Sequence, residues 1–430
     1  MSTKIKIADV VHVAAGTPAG EWFRRYWLVV GVTEELRDIP LGLKVLGEEL
    51  VLFRDLRGQI GLVGLHCPHR GTSLEYGDIE EQGIRCPYHG WLFDTLGHCL
   101  DQPAEPQNSQ FCKKVKHLSY PVRELGGLIF AYLGPDSADP PPLPKYAPLA
   151  RSGGQRFVEA IRYYDYNWLN FVENVLDPVH FSVLHRCDPS DGTWRSWFFN
   201  RHEIPHFDAV ETSYGVKVIS RKPGPTENTE YVDEKCVALP SILQIGDLEF
   251  TNFKKPASAL ADGSHIEHIM FATPNDDDHF MLFTVDHYTG PDPDFFAKLA
   301  ETRPPPPKAE KKADDHRRYM PFRGSVRDED LMTQGTQGSI DQREEHLGAS
   351  YRGIILLRKS IVNAMKVVRQ GGLPQGVLTQ ARAEEIVQLD SFTGIRGKEN
   401  FISVMDKQSP QGRSHYDGQS VKELVSHLII

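Results

Sequence analysis

The sequence predicts an α+β protein with two domains, an all-β domain over residues 1–150 and a mixed domain of strands and helices over 151–430. Two observations carry this prediction. Short runs rich in β-branched and aromatic residues, broken by Gly, Asp and Pro, fill the first part of the chain. After Pro135 comes the segment DSADPPPLPKYAPLA, which can continue neither a central strand nor a helix and therefore indicates a domain boundary.

The elements follow in chain order. Residues 16–36 indicate a short amphipathic helix that leads into a strand, and the next strands are expected at LKVL, LVLFRD, GLVGLH and GLIFAYLG. In the second domain, strands are expected at VKVIS, SHIEHIMFATP and HFMLFTVDHY, where apolar and polar residues partly alternate. The proline-rich and lysine-rich segment 301–315 indicates an exposed loop. Residues 341–372 have helical periodicity and end in Gly-Gly, a typical helix stop.

Composition argues against several classes of protein. The chain has 48 basic and 58 acidic side chains, a formal charge of −10, which disfavours a nucleic-acid partner. It has no apolar run of about 18 residues and no signal-peptide core, so we expect no membrane insertion, no export and a cytoplasmic location. In a reducing compartment, the cysteines outside the motif described next are expected to be reduced thiols: Cys99, Cys112, Cys187 and Cys236.

Two short runs, CPHRG and CPYHGW, carry two Cys/His pairs with sixteen residues between them. Cys67 and His69 form the first pair and Cys86 and His89 the second, and both runs are expected at hairpin tips. Together they offer the two thiolates and two imidazoles that one type of [2Fe–2S] centre needs. The same four ligands could hold a structural zinc ion. Zinc fingers usually group two Cys and then two His, so one of each kind per loop favours the cluster.

A second constellation, N-x-x-D-P-x-H-x-x-x-x-H, runs from Asn174 to His185. Asp177 before Pro178 is typical of a helix N-cap and first helical position, which predicts a helix that starts here and brings Asn174, Asp177 and His180 close together. On a regular helix, His180 and His185 would lie about 140° apart. They can bind one ion only if their ligand atoms approach it from widely separated directions or if the helix unwinds before His185.

CPHRG, CPYHGW and this downstream motif, in that order, resemble the Rieske non-haem iron aromatic-ring-hydroxylating oxygenases, specifically the alpha (oxygenase) subunit of the phthalate dioxygenase-like branch. The resemblance implies a Rieske [2Fe–2S] domain followed by a helix-grip (Bet v 1-like) catalytic domain, in which an antiparallel sheet wraps a long helix. It also implies one [2Fe–2S] Rieske cluster and one mononuclear Fe(II) per subunit. By this resemblance Cys67 and Cys86 hold the inner iron of the cluster, and His69 and His89 hold the outer iron.

The resemblance further implies that His180 and His185 are ligands of the mononuclear iron and that a later carboxylate is the third. Three candidates occur in one acidic run: Asp328, Glu329 and Asp330. Aligning the family's Thr-Gln-Gly on residues 336–338 puts Asp330 in the ligand position, whereas an ordinary solvated acidic run is the alternative. Three ligands on one face of Fe(II) leave open positions for O₂ and substrate.

Two further residues match positions of the family. Asp177, with Asn174 one helical turn before it, matches a catalytic carboxylate that links a cluster histidine of a neighbouring subunit to a histidine of the mononuclear site. This match implies a homo-oligomer, a trimer or a multiple of three. Arg221 resembles a position that meets the carboxylate of aromatic acids, and an exposed arginine at a strand end is the alternative.

The implied function is that of the oxygenase component of a multicomponent enzyme. Because the chain has neither a G-x-G-x-x-G fingerprint nor a plant-type cluster motif, electrons from NADH must come through a separate reductase, with or without a ferredoxin. The expected reaction uses O₂ to hydroxylate, dihydroxylate or O/N-dealkylate an aromatic compound, with aromatic carboxylates among the candidates. The alternatives are a Rieske-type electron-transfer protein without oxygenase activity, which needs only the first motif, and a zinc-stabilised binding protein.

Overall fold

The computed structural model describes residues 5–106, 108–135, 138–185, 204–224, 226–246, 265–302 and 326–397. The loop expected over 301–315 lies outside these ranges after Thr302, and Cys187 lies outside them as well. Within the described ranges, no helix has the length and apolarity that crossing a membrane requires.

Short strands dominate the first part of the chain, as predicted. Two short helices come first, and strands that include all four predicted runs follow. The elements are α1 (Ile7–Val11), α2 (Pro18–Phe23), β1 (Trp27–Val32), β2 (Leu41–Val45), β3 (Glu48–Arg54), β4 (Ile60–Gly64), β5 (Asp78–Glu80), β6 (Gly83–Arg85), β7 (Leu92–Phe93), β8 (Cys99–Asp101), β9 (Ser119–Tyr120), β10 (Val122–Leu125) and β11 (Leu128–Tyr132). They form three antiparallel sheets, in the orders β2-β3-β4-β9, β5-β6-β7-β8 and β1-β11-β10.

The second part of the chain combines one large antiparallel sheet with helices. Its elements are β12 (Lys145–Tyr146), α3 (Ala147–Ala150), β13 (Gln155–Tyr164), α4 (Trp168–Leu176), α5 (His180–Val183), β14 (His206–Glu211), β15 (Gly215–Pro223), β16 (Thr229–Ala238), β17 (Ile242–Ile245), β18 (His265–Pro274), β19 (Phe280–Thr289), α6 (Phe295–Thr302), α7 (Val326–Thr336), α8 (Arg352–Arg369), β20 (Ile386–Val387) and β21 (Phe392–Gly397). The sheet order is β13-β19-β18-β17-β16-β15-β14, and β21 also pairs with β16. The three predicted strands are confirmed as parts of β15, β18 and β19.

Helix α8 packs against β14, β15 and α4. Its first turns are buried on all sides, including Gly353, Ile355, Leu356 and Arg358. A stripe with the spacing of a core-facing helix continues along its length: Ile354, Leu357, Ile361, Ala364, Met365 and Val368. The predicted Gly-Gly stop is confirmed, because Gly371 has φ +80° and Gly372 N–H donates to Val367 O at 2.9 Å. The predicted start at residue 341 is wrong. The segment before the helix is irregular, and its Arg343 and Glu345 side chains form an ion pair of 2.7 Å.

Two apolar cores lie in the described part of the molecule. The larger one is continuous from α2 and β1 to α8 and the large sheet, and in it the Phe23 and Trp168 rings meet edge to face at 4.9 Å. The smaller core surrounds Cys67, Cys86 and Cys99, with Cys112 packed against it. Cys99, Cys112 and Cys236 are free thiols, as expected. The domain boundary at residue 150 stays a prediction.

Candidate metal centres

The two Cys/His loops have the same backbone conformation. In each loop the cysteine carbonyl accepts from the glycine four residues later, from Gly71 at 2.8 Å in the first and from Gly90 at 3.0 Å in the second. Both glycines have positive φ, +80° and +77°, where a Cβ would be strained. The second loop is a hairpin tip between β6 and β7, as predicted. The first is also a hairpin tip, as predicted, because His66 and Ser73 pair antiparallel across it, and it lies between β4 and β5 of two different sheets.

The side chains of these loops converge on one point. Cys67 and Cys86 are both buried, and the ring centroids of His69 and His89 lie 4.5 Å apart. Burial raises the pKa of the Cys67 thiol to about 11; backbone N–H groups of His69 and Arg70 lower it in part, and the thiol of Cys86 raises it. The buried Nδ1 of His89 has no hydrogen-bond partner in the described part of the chain. Two facing thiols and two imidazoles, one with an unused buried nitrogen, fit a [2Fe–2S] cluster.

The second constellation begins where α4 ends. Asp177 is the C-cap of α4, and the next helix, α5, begins at His180, so the predicted helix is present but its predicted start at Asp177 and Pro178 is wrong. Pro178 has no N–H with which to continue α4, and Asp177 Oδ1 instead accepts from Val179 N–H at 2.8 Å, which closes a turn. The separate helix α5 ends at Val183. Because α5 ends before His185, the two histidines can face the same point.

His180, His185 and Asp330 bring their ligand atoms within 4.8 Å of one another. Asp330 Oδ1 lies 3.2 Å from His185 Nε2 and 3.7 Å from His180 Nε2. Asn174 Nδ2 donates to the same carboxylate oxygen at 3.0 Å. Of the three carboxylates predicted as candidates, Asp330 is therefore the one that faces both histidines.

Burial and mutual contacts shift the pKa values of this group: burial alone would lower the pKa of His185, but its hydrogen bonds to Asp330 and Glu329 raise it. Burial lowers the pKa of His180 to about 3, so its imidazole is neutral at pH 7. Burial by itself raises the pKa of Asp330, but the hydrogen bond and charge of His185 outweigh it, and the pKa is lower than usual. The Nδ1 of His180 is buried and has no hydrogen-bond partner among the described residues. Two imidazoles and one carboxylate with open positions opposite are the donor set of non-haem Fe(II) sites.

Glu329 has a role that the sequence analysis missed. Its Oε2 atom lies 2.9 Å from His185 Nδ1, and the His185 side chain is fully buried. This bond leaves His185 Nε2 directed at Asp330 and fixes the tautomer of the ring. The sequence could have predicted this role, because Glu329 directly precedes the ligand Asp330 in one helical run. Consecutive side chains on a helix point about 100° apart and can contact opposite sides of one imidazole.

Asp177 lies beside the His180–His185–Asp330 group, whereas Arg221 is paired elsewhere. Asp177 Oδ2 lies 3.8 Å from His180 Nδ1, beside the group, and burial raises the pKa of its carboxyl. Arg221 Nη1 instead donates to Asp208 Oδ2 at 3.0 Å on the neighbouring strand β14. Arg221 is therefore already paired with a carboxylate, and its role in substrate binding stays a prediction.

Comparison with known proteins now decides the family. The Rieske [2Fe-2S] domain model matches residues 26–121. The phenoxybenzoate dioxygenase subunit alpha of Ectopseudomonas oleovorans is 35% identical over 415 residues, which cover 92% of this chain and 91% of that protein. The chain belongs to the Rieske non-haem iron oxygenases. The oxygenase subunit of phthalate 4,5-dioxygenase from Pseudomonas putida is 29% identical to this Rieske oxygenase over 84% of its chain and 85% of the relative.

A solved structure supports the fold of this Rieske oxygenase. Dicamba monooxygenase bound to 3,6-dichlorosalicylic acid superposes with a TM-score of 0.58 at 18% identity, over 81% of this chain and 98% of that one. The predicted α+β fold, the Rieske cluster and the catalytic non-haem iron are thus confirmed, as is the activity of an oxygenase component. The comparisons do not support the alternative of an electron-transfer protein without oxygenase activity. The zinc-site interpretation of the first motif is wrong.

Proposed function

We propose that this Rieske oxygenase takes electrons from NADH through a separate reductase and oxygenates an aromatic carboxylate. The observation that carries the proposal is the convergence of His180, His185 and Asp330 within 4.8 Å, downstream of a complete Cys/His cluster motif. When bound, the cluster stores electrons and the mononuclear iron activates O₂. An electron carrier would have no use for the second group.

Residues of this chain bind the two metal centres, orient the ligands and connect the centres. Cys67, Cys86, His69 and His89 hold the cluster, while His180, His185 and Asp330 hold the mononuclear iron. Glu329 and Asn174 orient these ligands through the 2.9 Å bond to His185 Nδ1 and the 3.0 Å bond to Asp330 Oδ1. Asp177, whose Oδ2 is 3.8 Å from His180 Nδ1, links the mononuclear site to a cluster histidine.

The substrate class rests on the relatives. Their names specify phenoxybenzoate and phthalate, and the superposed monooxygenase has a dichlorosalicylic acid bound. All three molecules combine an aromatic ring with a carboxylate. The product is hydroxylated, dihydroxylated or dealkylated according to how the pocket aims the ring at the iron, since these outcomes share the same metal centres.

Turnover of a substrate panel tests this function. Protein with both metals is mixed with NADH, a surrogate reductase with or without ferredoxin, isotopically labelled O₂, and phenoxybenzoate, phthalate, benzoate or a methoxybenzoate. We expect label in the product of at least one acid, or in the formaldehyde or hydroxylated intermediate of a methoxy substrate. His180→Ala is the control, because it should retain the cluster spectrum and lose the product. A reducible cluster with no oxygenated product from any acid would contradict the carboxylate class.

We also propose that the functional unit is a trimer or a multiple of one. His69 is exposed at the tip of its loop, and Tyr88 and Phe111 nearby are 58% and 45% exposed. Apolar side chains around a redox centre are typical of a surface that another protein covers. In a symmetric ring, the cluster of one subunit can then meet Asp177 of the next.

Subunit mixing tests this arrangement. Cys86→Ser removes the cluster and His180→Ala removes the iron, so each variant alone should be inactive. We expect coexpression of the two chains with different tags, followed by tandem purification, to restore a part of the activity. Mixed oligomers that contain both variants and stay inactive would exclude electron transfer between subunits. Sedimentation equilibrium gives the oligomeric state independently.

A further inference from the structure

Lys235 lies in the middle of β16, on the face of the large sheet that packs against the helices. It pairs in register with Val218 of β15, and cross-strand partners share a face. A Cβ added to Gly353 of α8 would lie 2.6 Å from Val218 Cγ2, so this face is turned toward α8. Arg221 lies three residues after Val218 on the same strand. The alternation of side chains therefore puts Arg221 on the opposite face.

The surroundings of Lys235 connect it to the metal centre. Its Nζ lies 3.2 Å from the ring centroid of Phe181, which directly follows His180 in α5. Burial lowers the pKa of Lys235, and the negative charges of Asp233, Asp330 and Asp177 oppose this change. The ammonium group is therefore within electrostatic range of the carboxylate that faces both histidines.

Lys235 is less well paired than two other buried cations, Lys217 and Arg358. Its side chain is 6% exposed, its Nζ makes no hydrogen bond of good geometry among the described residues, and its ion-pair partner Asp233 Oδ2 is 3.4 Å away. By contrast, Lys217 Nζ lies 2.6 Å from Glu234, and Arg358 Nη2 lies 2.7 Å from Glu173. A buried ammonium without a good acceptor is costly. An anion that entered this face would relieve that cost.

We propose that Lys235 binds the carboxylate of the aromatic substrate and so sets the enzyme's preference for acids over neutral analogues. Phe181, whose ring Lys235 contacts, lines a narrow recess together with Tyr231, Arg221, Lys222 and Asp233. Lys222, whose Nζ donates to Ser182 Oγ at 2.8 Å on the same face, adds a second positive charge. An ammonium–carboxylate pair in a dry site is a strong, charge-assisted hydrogen bond. This inference rests on the proposed function, because it assumes an aromatic acid as substrate.

Lys235→Met and Lys235→Arg test this role, with phenoxybenzoate, phthalate and benzoate as the acids and phenoxybenzamide as the neutral probe. Metal-loaded protein is examined by anaerobic equilibrium dialysis and then for kcat/KM. We expect Lys235→Met to bind the acid preferred by the wild type about 10- to 100-fold more weakly and to bind the amide unchanged. Lys235→Arg should recover part of the affinity for the acid. The exposed Lys298→Met is the matched control and should behave as wild type.

The ratio of acid affinity to amide affinity within one variant is the deciding readout, because partial loss of iron or of folded protein cancels in it. An unchanged ratio in Lys235→Met, with a wild-type enzyme that does bind acids, would overturn the role of Lys235 and leave the proposed function intact. A wild-type enzyme that neither binds nor oxygenates any acid of the panel would overturn both. A loss of acid affinity in Arg221→Met but not in Lys235→Met would assign the carboxylate to Arg221 instead.

Discussion

Replacing Glu329 tests how the protein prepares His185 to bind iron. Glu329 Oε2 and His185 Nδ1 lie 2.9 Å apart, with side-chain exposures of 10% and 0%. A hydrogen bond to a charged group contributes about 1.5–3 kcal/mol, or about 10- to 150-fold in a binding constant. Without it, the ring can rotate or change tautomer, and Nε2 is no longer held 3.2 Å from Asp330. We therefore expect Glu329→Ala to weaken Fe(II) binding about 10- to 100-fold.

Anaerobic titration measures this effect directly. Iron-depleted protein receives Fe(II) in the presence of a chromophoric chelator of known affinity, and the absorbance of the cluster shows that the first centre is intact. Glu329→Gln retains an oxygen acceptor without the charge and should lose less affinity than Glu329→Ala. Asp328→Asn is the matched control, since Asp328 is a neighbouring carboxylate of α7 outside the His180–His185–Asp330 group. Wild-type affinity in Glu329→Ala, or an equal loss in Asp328→Asn, would refute the reasoning.

Three further predictions concern Asp177 and the ion pairs between α4 and α8. Asp177→Asn should retain both metals, because Asp177 is outside the ligand group, yet lower coupled turnover about 10- to 100-fold, as metal analysis and product yield per NADH will show. Arg358→Met leaves Glu173 and Glu345 without their buried partner and should lower the free energy of unfolding by about 3–5 kcal/mol in a denaturant titration. Burial raises the pKa of Glu345, but Arg358 and then Arg343 hold it below its usual range. The stabilising contribution of Glu345 should therefore be complete above its unfolded pKa of about 4.3 and be lost as pH falls through its lower folded pKa. Acid unfolding measures this, because the wild type should lose more stability over this pH range than Glu345→Gln.

The cluster loops could be predicted because their ligands occur in short contiguous runs. A backbone turn of five residues brings Cys67 and His69 together whatever the rest of the chain does, and Gly71 permits that turn through its positive φ. The same applies to Cys86 and His89. The runs did not predict that the first loop lies between strands of two different sheets. Strand pairing depends on residues far away in the sequence.

The helix start at Asp177 was mispredicted because an Asp-Pro pair has two local uses. It can cap a new helix, or it can end one and close a turn. The deciding residue lies earlier, where Asn167 Oδ1 accepts from Leu169 N–H at 2.9 Å and caps α4. Once α4 starts there, Pro178 must end it, and Asp177 becomes its C-cap. The prediction considered the pair without the helix before it.

Glu329 and Lys235 could not be predicted because their contacts are made only by the folded chain. Glu329 lies 144 residues after His185, and Lys235 of strand β16 contacts Phe181 of helix α5. Local patterns show that a carboxylate or an ammonium is present, but not which atom it faces. The acidic run of α7 illustrates this, since Asp330 faces two imidazoles while Glu329 bonds the far side of one of them.

The charges around the second centre explain why an anionic substrate would need a dedicated cation. Asp330 and Glu329 both contact His185, and Asp177 lies 3.8 Å from His180. A ferrous ion compensates two negative charges, so a third carboxylate would repel an incoming acid in a site where burial strengthens electrostatic interactions. The charge of Lys235 interacts with those of Asp330 and Asp177. If the substrate is an acid, the Lys235 ammonium attracts its carboxylate, whereas the surrounding carboxylates repel it. The ratio of acid affinity to amide affinity measures this attraction.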